Sequence, residues 1–225
     1  MPPNRPSVLV FDVNETLSDM GPLRDRFEEI GAPGGLMPLW FAGTLRDGFA
    51  LAASGGYADF AELARDSLRG LLASAEHRPV DLDAAVRHVL SGFSELAVHP
   101  DVPPGVRALR AAGYRLVTMT NGSTALTEKL LDKAGVRDCF EALMDVAGPG
   151  RWKPHPSAYS HVIEGCAVSA DQAMLVAVHP WDVDGAQRAG LAGAWLRRGA
   201  AVYPDSLTEP TLIAEDLTDL ARLLG

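Results

Sequence analysis

The sequence lacks the features that mark membrane, secreted and nucleic-acid-binding proteins. No stretch approaches the roughly 18 consecutive apolar residues of a membrane span, and no secretory signal precedes the first predicted strand. The two cysteines, Cys139 and Cys166, do not have the paired spacing of a metal or redox site. Acidic residues outnumber basic ones by 29 to 20, and no basic stripe is present to neutralise phosphates. We therefore expect a cytoplasmic protein with neither a membrane nor a nucleic acid as partner.

The segment VLVFDVNETL, residues 8 to 17, is the most informative stretch of the chain. Its β-branched and aromatic residues end abruptly at Asp12, and polar residues follow. This pattern predicts a buried parallel strand that delivers a carboxylate to its C-terminal end. Open α/β sheets bind ligands at that edge, so we interpret Asp12 as a nucleophile.

The remainder of the chain divides into two patterns. From residue 18 to residue 98 apolar residues recur at helical spacing, with breaks at Gly31 to Gly35, Ser54 to Gly56 and Arg78 to Pro79. After a proline-rich hinge at residues 99 to 104, strands alternate with helices, which predicts a parallel sheet. We expect an α/β core formed by residues 1–17 and 99–225, and a helical domain of residues 18–98 inserted in it as a lid.

Polar groups follow each predicted core strand. They are Asp12, the Thr120-Asn121 pair, Lys153, and the Trp181-Asp182 pair. Each could be a helix cap or a surface residue if taken alone. Lys153 is different, because the chain has only three lysines and this one is flanked by Trp152 and Pro154. An ammonium group in such surroundings is better explained as the partner of a nearby anion.

The ordered set FDVNETL, TNGS, WKPHPSAY and HPWDVDGA resembles the haloacid dehalogenase superfamily, and more closely its L-2-haloacid dehalogenase (type II) branch. The resemblance implies a Rossmann-like core with an inserted helical cap. It implies that Asp12 displaces halide from a small 2-haloacid to form an ester that water then hydrolyses. Lys153 and Asp182 would support the nucleophile, and Thr16 would hydrogen-bond it. Thr120 and Asn121 would bind the substrate carboxylate or the carbonyl oxygen. Tyr159 and Trp181 would form part of the pocket.

Two positions distinguish attack on carbon from attack on phosphorus. Phosphatases of the superfamily carry an aspartate two residues after the nucleophile, where this chain has Asn14, which has no acidic proton to donate. They also carry an acid four residues before the position of Asp182, where this chain has Val178. A magnesium site would therefore lose a ligand. We expect no metal and no cofactor.

The lid departs from the branch at one position. The branch has an arginine directly after a cap tryptophan, whereas here Trp40 is followed by Phe41. Arg46 could replace it, or could be an exposed residue beside Asp47, and Phe60 could line the pocket with Phe41 or belong to the core. His179 could activate water, donate to the halide or simply pack in its loop, and Glu15 is interpreted as a supporting residue.

The expected function is hydrolysis of a small halogenated carboxylic acid to a 2-hydroxy acid and halide. The alternatives are a phosphatase or phosphonate hydrolase of the same superfamily, and a catalytically silent relative that binds a metabolite. The resemblance also implies a homodimer.

Overall fold

The computed structural model describes residues 5–75 and 79–225. Within them the chain forms these strands and helices, in chain order: β1 Val8–Phe11, β2 Ser18–Asp19, α1 Leu23–Glu29, α2 Leu36–Ser54, α3 Phe60–Ser74, α4 Leu82–Ser91, β3 Ala97–Val98, α5 Val102–Ala111, β4 Arg115–Thr120, α6 Thr124–Lys133, β5 Ala142–Asp145, α7 Pro156–Cys166, β6 Ala173–Ala177, α8 Pro180–Arg188, β7 Ala192–Leu196, β8 Leu212–Ala214 and α9 Leu217–Leu224. The predicted break at Arg78 and Pro79 lies partly outside the described residues.

Six of these strands form one parallel sheet in the order β5-β4-β1-β6-β7-β8. All four residues of β1 are buried, as expected for a central strand covered on both faces by helices. Because β1 lies between β4 and β6, the residues that follow these strands meet at the middle of the carboxyl edge. The predicted Rossmann-like α/β fold is confirmed.

The helical insertion follows β1 and returns to the sheet before β4. Its outgoing and returning segments lie side by side, because β2 and β3 pair in antiparallel fashion, with Ser18 opposite Val98. Trp40 packs at the centre of these helices: its ring lies 5.8 Å from the rings of Phe27 and Phe93, and its Nε1 donates to Ala64 O. The domain division at residues 17/18 and 98/99 stays a prediction.

None of the helices in the described ranges is both long and apolar enough to cross a membrane.

Candidate active site

A buried group of charges lies at the carboxyl edge of the sheet. Lys153 Nζ donates to Asp12 Oδ1 at 2.9 Å and to Asp182 Oδ2 at 2.6 Å. Asp12 directly follows β1, Lys153 lies in the loop between β5 and α7, and Asp182 belongs to the first turn of α8. At most 5% of any of these side chains is exposed. The chain thus brings together, from three separate segments, one ammonium group and two carboxylates.

Thr16 holds the second oxygen of Asp12. Its Oγ1 donates to Asp12 Oδ2 at 2.6 Å and accepts from the backbone N–H of Val178 at 3.2 Å. The carboxylate of Asp12 therefore has a donor on each oxygen, and its plane is fixed. A nucleophile held in this way loses little freedom when a substrate binds.

The electrostatic environment keeps Asp12 and Lys153 ionised. Burial alone would raise the pKa of Asp12, but the charge of Lys153, helped by His179 and Thr16, lowers it below its ordinary value. Burial would likewise lower the pKa of Lys153, and the two carboxylates raise it. Asp12 is therefore a carboxylate at neutral pH, which is the form that attacks an electrophile.

Tyr159 contacts Asp182. Its hydroxyl donates to Asp182 Oδ1 at 2.7 Å, and its side chain is buried. Burial and the neighbouring carboxylate raise the pKa of Tyr159 well above its ordinary value, so it stays a donor. In this structure the phenol orients Asp182, and the predicted contact of Tyr159 with substrate stays a prediction.

Asn121 is also engaged within the protein. Its Oδ1 accepts from the backbone N–H of Lys153 at 2.9 Å, and its Nδ2 donates to the Lys153 carbonyl at 3.2 Å. Both ends of the amide are thus bound to the loop that carries the lysine. In this structure Asn121 therefore positions the Lys153 loop, and its predicted contact with substrate stays a prediction.

Thr120, the last residue of β4, and Asn14, two residues after Asp12, lie at the same edge of the sheet as the charged group. Thr120 Oγ1 accepts from the backbone N–H of Gly122 at 2.9 Å and keeps its own proton to donate. Both residues, with Phe60, line a small cavity of ≈ 30 Å³ between the sheet edge and the helical insertion. The Thr120 hydroxyl and the Asn14 amide are donors of the kind that can bind a carboxylate or a developing oxyanion.

His179 and Glu15 form a second polar group next to Asp12. His179 Nε2 lies 3.8 Å from Asp12 Oδ2, 3.6 Å from Glu15 Oε2 and 3.2 Å from the carbonyl of Asn14. Glu15 has a φ of 62°, a left-handed conformation that is unusual for a non-glycine residue and turns the chain sharply after Asn14. Burial raises the pKa of Glu15.

Aromatic side chains of the helical insertion cover the site. Phe41 lies 6.4 Å from the ring of His179 and 6.3 Å from Phe60, and Phe49 lies 4.8 Å from Trp181. The ring of Trp181 also stacks on His179 at 5.1 Å. The insertion thus presents apolar surface to the nucleophile.

Arg46 does not replace the arginine that the branch carries after the tryptophan. Three quarters of its side chain is exposed, and it pairs with Asp47. The physical reason is helical geometry: five residues turn an α-helix by about 500°, which leaves Arg46 about 140° from Phe41 around the axis. Arg46 instead lines an open groove of ≈ 600 Å³ between α2 and α3.

Three residues that contact the site elements were not identified from the sequence. Trp152 and Phe49 were not assigned roles, yet both join the helical insertion to the core. The aromatic residue directly before Lys153 was the available signal. A third residue, Arg198, donates to the carbonyl of Thr16 at 3.0 Å from the loop after β7, and no sequence pattern indicated it.

The residues do not fit a divalent cation. Among residues 5–75 and 79–225, no group of three or more His, Cys, Asp or Glu side chains is arranged to bind a metal. The Lys153 ammonium lies between the carboxylates of Asp12 and Asp182, and Val178 offers no oxygen side chain. The chain itself supplies the positive charge there.

Comparison with known proteins gives matches that cover most of the chain. Residues 7–190 match the model of the haloacid dehalogenase-like hydrolases. Haloacetate dehalogenase H-2 of Moraxella sp. (strain B) is 29% identical over 96% of this chain and 97% of that protein, and (S)-2-haloacid dehalogenase H-109 of Pseudomonas putida is 26% identical over 96% of each. The structure of the L-2-haloacid dehalogenase from Xanthobacter autotrophicus with chloropropionic acid covalently bound has a TM-score of 0.88 at 23% identity, covering 97% of this chain and 98% of that one. At this identity, the structural match shows the fold.

Proposed function

The chain belongs to the haloacid dehalogenase-like hydrolases, and on that premise we propose that it is a hydrolytic dehalogenase of small 2-haloacids with Asp12 as its nucleophile. The observation that carries the proposal is the state of Asp12. It is buried, its pKa is lowered, and each of its oxygens is held by a donor, Lys153 or Thr16. The residue two positions later is Asn14, which has no acidic proton for a leaving group.

The first half-reaction is a displacement at carbon. An oxygen of Asp12 attacks the carbon that bears the halogen, the carbon–oxygen bond forms, and the halide leaves with the bonding electron pair. Halide leaves as an anion, so this step needs no general acid. The aromatic side chains of Phe41, Phe60 and Trp181 provide apolar surroundings for the reacting carbon.

The second half-reaction is hydrolysis of the ester. Water adds to the carbonyl carbon of Asp12 as His179 takes up one of its protons. The imidazolium then gives that proton to the departing oxygen, which came from Asp12, so that the 2-hydroxy acid leaves and the Asp12 carboxyl group ionises again. The position of His179 beside both Asp12 and Glu15 supports this role, since the Glu15 carboxylate stabilises the imidazolium that forms. Lys153 and Thr120 offer donors to the charge that develops on the carbonyl oxygen.

Phosphoryl transfer is the competing function within the family. It requires a cation to neutralise the phosphoryl oxygens and a proton for a departing alkoxide. Val178 stands where the phosphatases carry an acidic metal ligand, and Asn14 stands where they carry the aspartate that supplies the proton. The Lys153 ammonium also lies between the carboxylates of Asp12 and Asp182. These features favour displacement at carbon.

Halide release tests the proposal directly. Chloroacetate, fluoroacetate and 2-chloropropionate are incubated with the protein in the presence of EDTA, and the wild type is compared with Asp12→Asn. We expect release by the wild type and a loss of about 10⁴-fold or more in the variant, because the amide is not a nucleophile. No release by the wild type, or undiminished release by the variant, would contradict the proposal. Strong magnesium-dependent hydrolysis of para-nitrophenyl phosphate would favour the phosphatase.

A homodimer and a cytoplasmic location are further proposals, made from the resemblance and from the sequence. Light scattering of the purified protein tests the dimer, for which a monomer at micromolar concentration would be the contradicting result.

A further inference from the structure

Two tryptophans connect the buried charges to one point on the helical insertion. Trp152 directly precedes Lys153, and Trp181 directly precedes Asp182. These are the two residues whose ion pair stands beside Asp12. The contacts of both tryptophans lead to neighbouring positions of α2, Gly48 and Phe49.

Trp152 is inserted into the helical layer. Its Nε1 donates to the carbonyl of Ala58 at 2.9 Å, its ring stacks on Phe60 at 5.9 Å with an interplanar angle of 19°, and only 1% of the residue is exposed. A side chain placed in this way cannot move without the helices that surround it. Its neighbour Lys153 has its main chain held by Asn121 in the core.

Gly48 makes this insertion possible. A Cβ on Gly48 would lie 2.5 Å from Cζ3 and 2.6 Å from Cδ2 of Trp152, which is far inside van der Waals contact. Glycine is unfavourable in the interior of an α-helix, and α2 extends for several residues on both sides of this one. Its presence is therefore explained by the close approach of the indole ring.

Trp181 makes the second connection. Its ring packs edge-on against Phe49 at 4.8 Å, one residue along α2 from the position that contacts Trp152. Its own chain leads directly into Asp182, whose two oxygens accept from Lys153 and Tyr159. Both partners of the ion pair are thus one residue away from an aromatic contact with the same helix.

We propose that Gly48 and Phe49 of α2, together with Trp152 and Trp181, form a latch through which the docked helical insertion positions the Lys153–Asp182 pair against Asp12. These four are positioning residues, since the reaction occurs at Asp12 and its neighbours. The proposal rests on the proposed function for its kinetic consequences, while its structural consequence, the alignment of Lys153 with Asp12, can be measured without any substrate.

The test is Gly48→Ala, with Gly70→Ala as its matched control. Both glycines lie inside helices of the insertion, but a Cβ at Gly70 would meet nothing within 4 Å. We expect Gly48→Ala to lower kcat by about 10- to 100-fold through misplacement of the ion pair, with KM changed much less, and Gly70→Ala to match the wild type. Equal kcat values for Gly48→Ala and the wild type, or an equal loss in both variants, would overturn the proposal.

A pH measurement separates the latch from a general loss of packing. Lys153 lowers the pKa of Asp12, so a displaced lysine must let that pKa rise. We expect the acidic limb of kcat/KM, and the titration of Asp12 followed by carbon NMR of labelled aspartate carboxyls, to move to higher pH in Gly48→Ala. The NMR titration needs no turnover, so it tests the latch even if the wild type releases no halide. An unchanged Asp12 titration would overturn the proposal.

A compensating change provides the second variant. Trp152→Phe removes the Nε1 donor and makes the ring smaller, taking away Cζ3, one of the atoms that would meet a Cβ at Gly48. We expect a several-fold lower kcat for this variant, and a double variant with Gly48→Ala that is more active than the product of the two single losses predicts. Multiplicative losses would show that the two positions act independently and would contradict the latch.

Discussion

The carboxyl edge of the sheet and the helical insertion above it contribute opposite kinds of side chain to one site. The edge contributes ionised and hydrogen-bonded groups, of which Asp12, Lys153 and Asp182 are the centre. The insertion contributes aromatic rings, among them Phe41, which lies 6.4 Å from the ring of His179, and Phe60, which lines a cavity with Thr120. The difference indicates a division of labour in which the core performs the chemistry and the insertion encloses it and positions the charges.

Removing the Lys153 charge from the core should have the largest effect on both activity and stability. In Lys153→Met the carboxylates of Asp12 and Asp182 remain buried without their partner, so we expect kcat to fall by about 10³-fold and the free energy of unfolding to fall by about 3–5 kcal/mol. Halide release and urea unfolding measure the two losses. Wild-type activity in this variant would show that the charge of the core is dispensable.

The same variant has a predicted pH dependence. In the wild type the lowered pKa of Asp12 contributes stability that is present above the unfolded-state pKa and is lost as the pH falls through the folded-state value. Without Lys153, burial raises the pKa of Asp12 above its unfolded value, so the sign reverses. Unfolding near neutral pH and at about pH 5 should therefore show Lys153→Met gaining stability relative to the wild type on acidification. A constant difference between the two proteins would contradict this reasoning.

His179 lies where the polar and aromatic regions meet, and its replacement should have the next largest effect. Glutamine keeps a hydrogen-bond donor but has no basic nitrogen, so His179→Gln should slow hydrolysis of the ester by about 10²-fold while the first halide is still released. A burst of halide followed by slow turnover, with ester visible in the intact mass, is the expected result. Unchanged steady-state turnover would assign His179 to hydrogen-bond donation instead of proton transfer.

Substitutions in the insertion should change kcat/KM less, and their effect should depend on which side of α2 the residue occupies. Phe41→Leu removes part of the aromatic cover beside His179, so we expect kcat/KM to fall by about 3- to 10-fold. Arg46→Ala removes an exposed side chain paired with Asp47 and should leave kcat/KM unchanged. Steady-state kinetics with chloroacetate compare the pair. A larger loss of kcat/KM in Arg46→Ala than in Phe41→Leu would indicate that Arg46 contributes to the site.

The core part of the site could be predicted because strand ends converge. Asp12 follows β1, Asp182 follows β6 and Lys153 follows β5, all strands of one parallel sheet, so their carboxyl ends lie at one edge. The weak C-terminal elements, Leu212–Ala214 and Leu217–Leu224, were not predicted, since a three-residue strand carries almost no periodicity.

The insertion was less predictable for a physical reason. Helical spacing indicates which residues share a face but not which face meets the core, and the sequence therefore left two alternatives for Arg46, of which the structure shows the exposed residue beside Asp47. The contacts of Asn121 and Tyr159 with the protein could not be predicted either, because a polar side chain near a site can bind the substrate or the protein. Spacing in the sequence does not distinguish those two partners.

The central claim is that Asp12 becomes covalently attached to the substrate, and a single turnover in heavy-oxygen water tests it most directly. Enzyme is held in excess over chloroacetate, and both the 2-hydroxy acid and the peptide that contains Asp12 are analysed by mass spectrometry. If water attacks the carbonyl carbon of an ester, the heavy oxygen is incorporated into the carboxylate of Asp12, and the first product formed is unlabelled. Heavy oxygen in the product, with none in Asp12, would contradict the account, because water would then have displaced the halide directly.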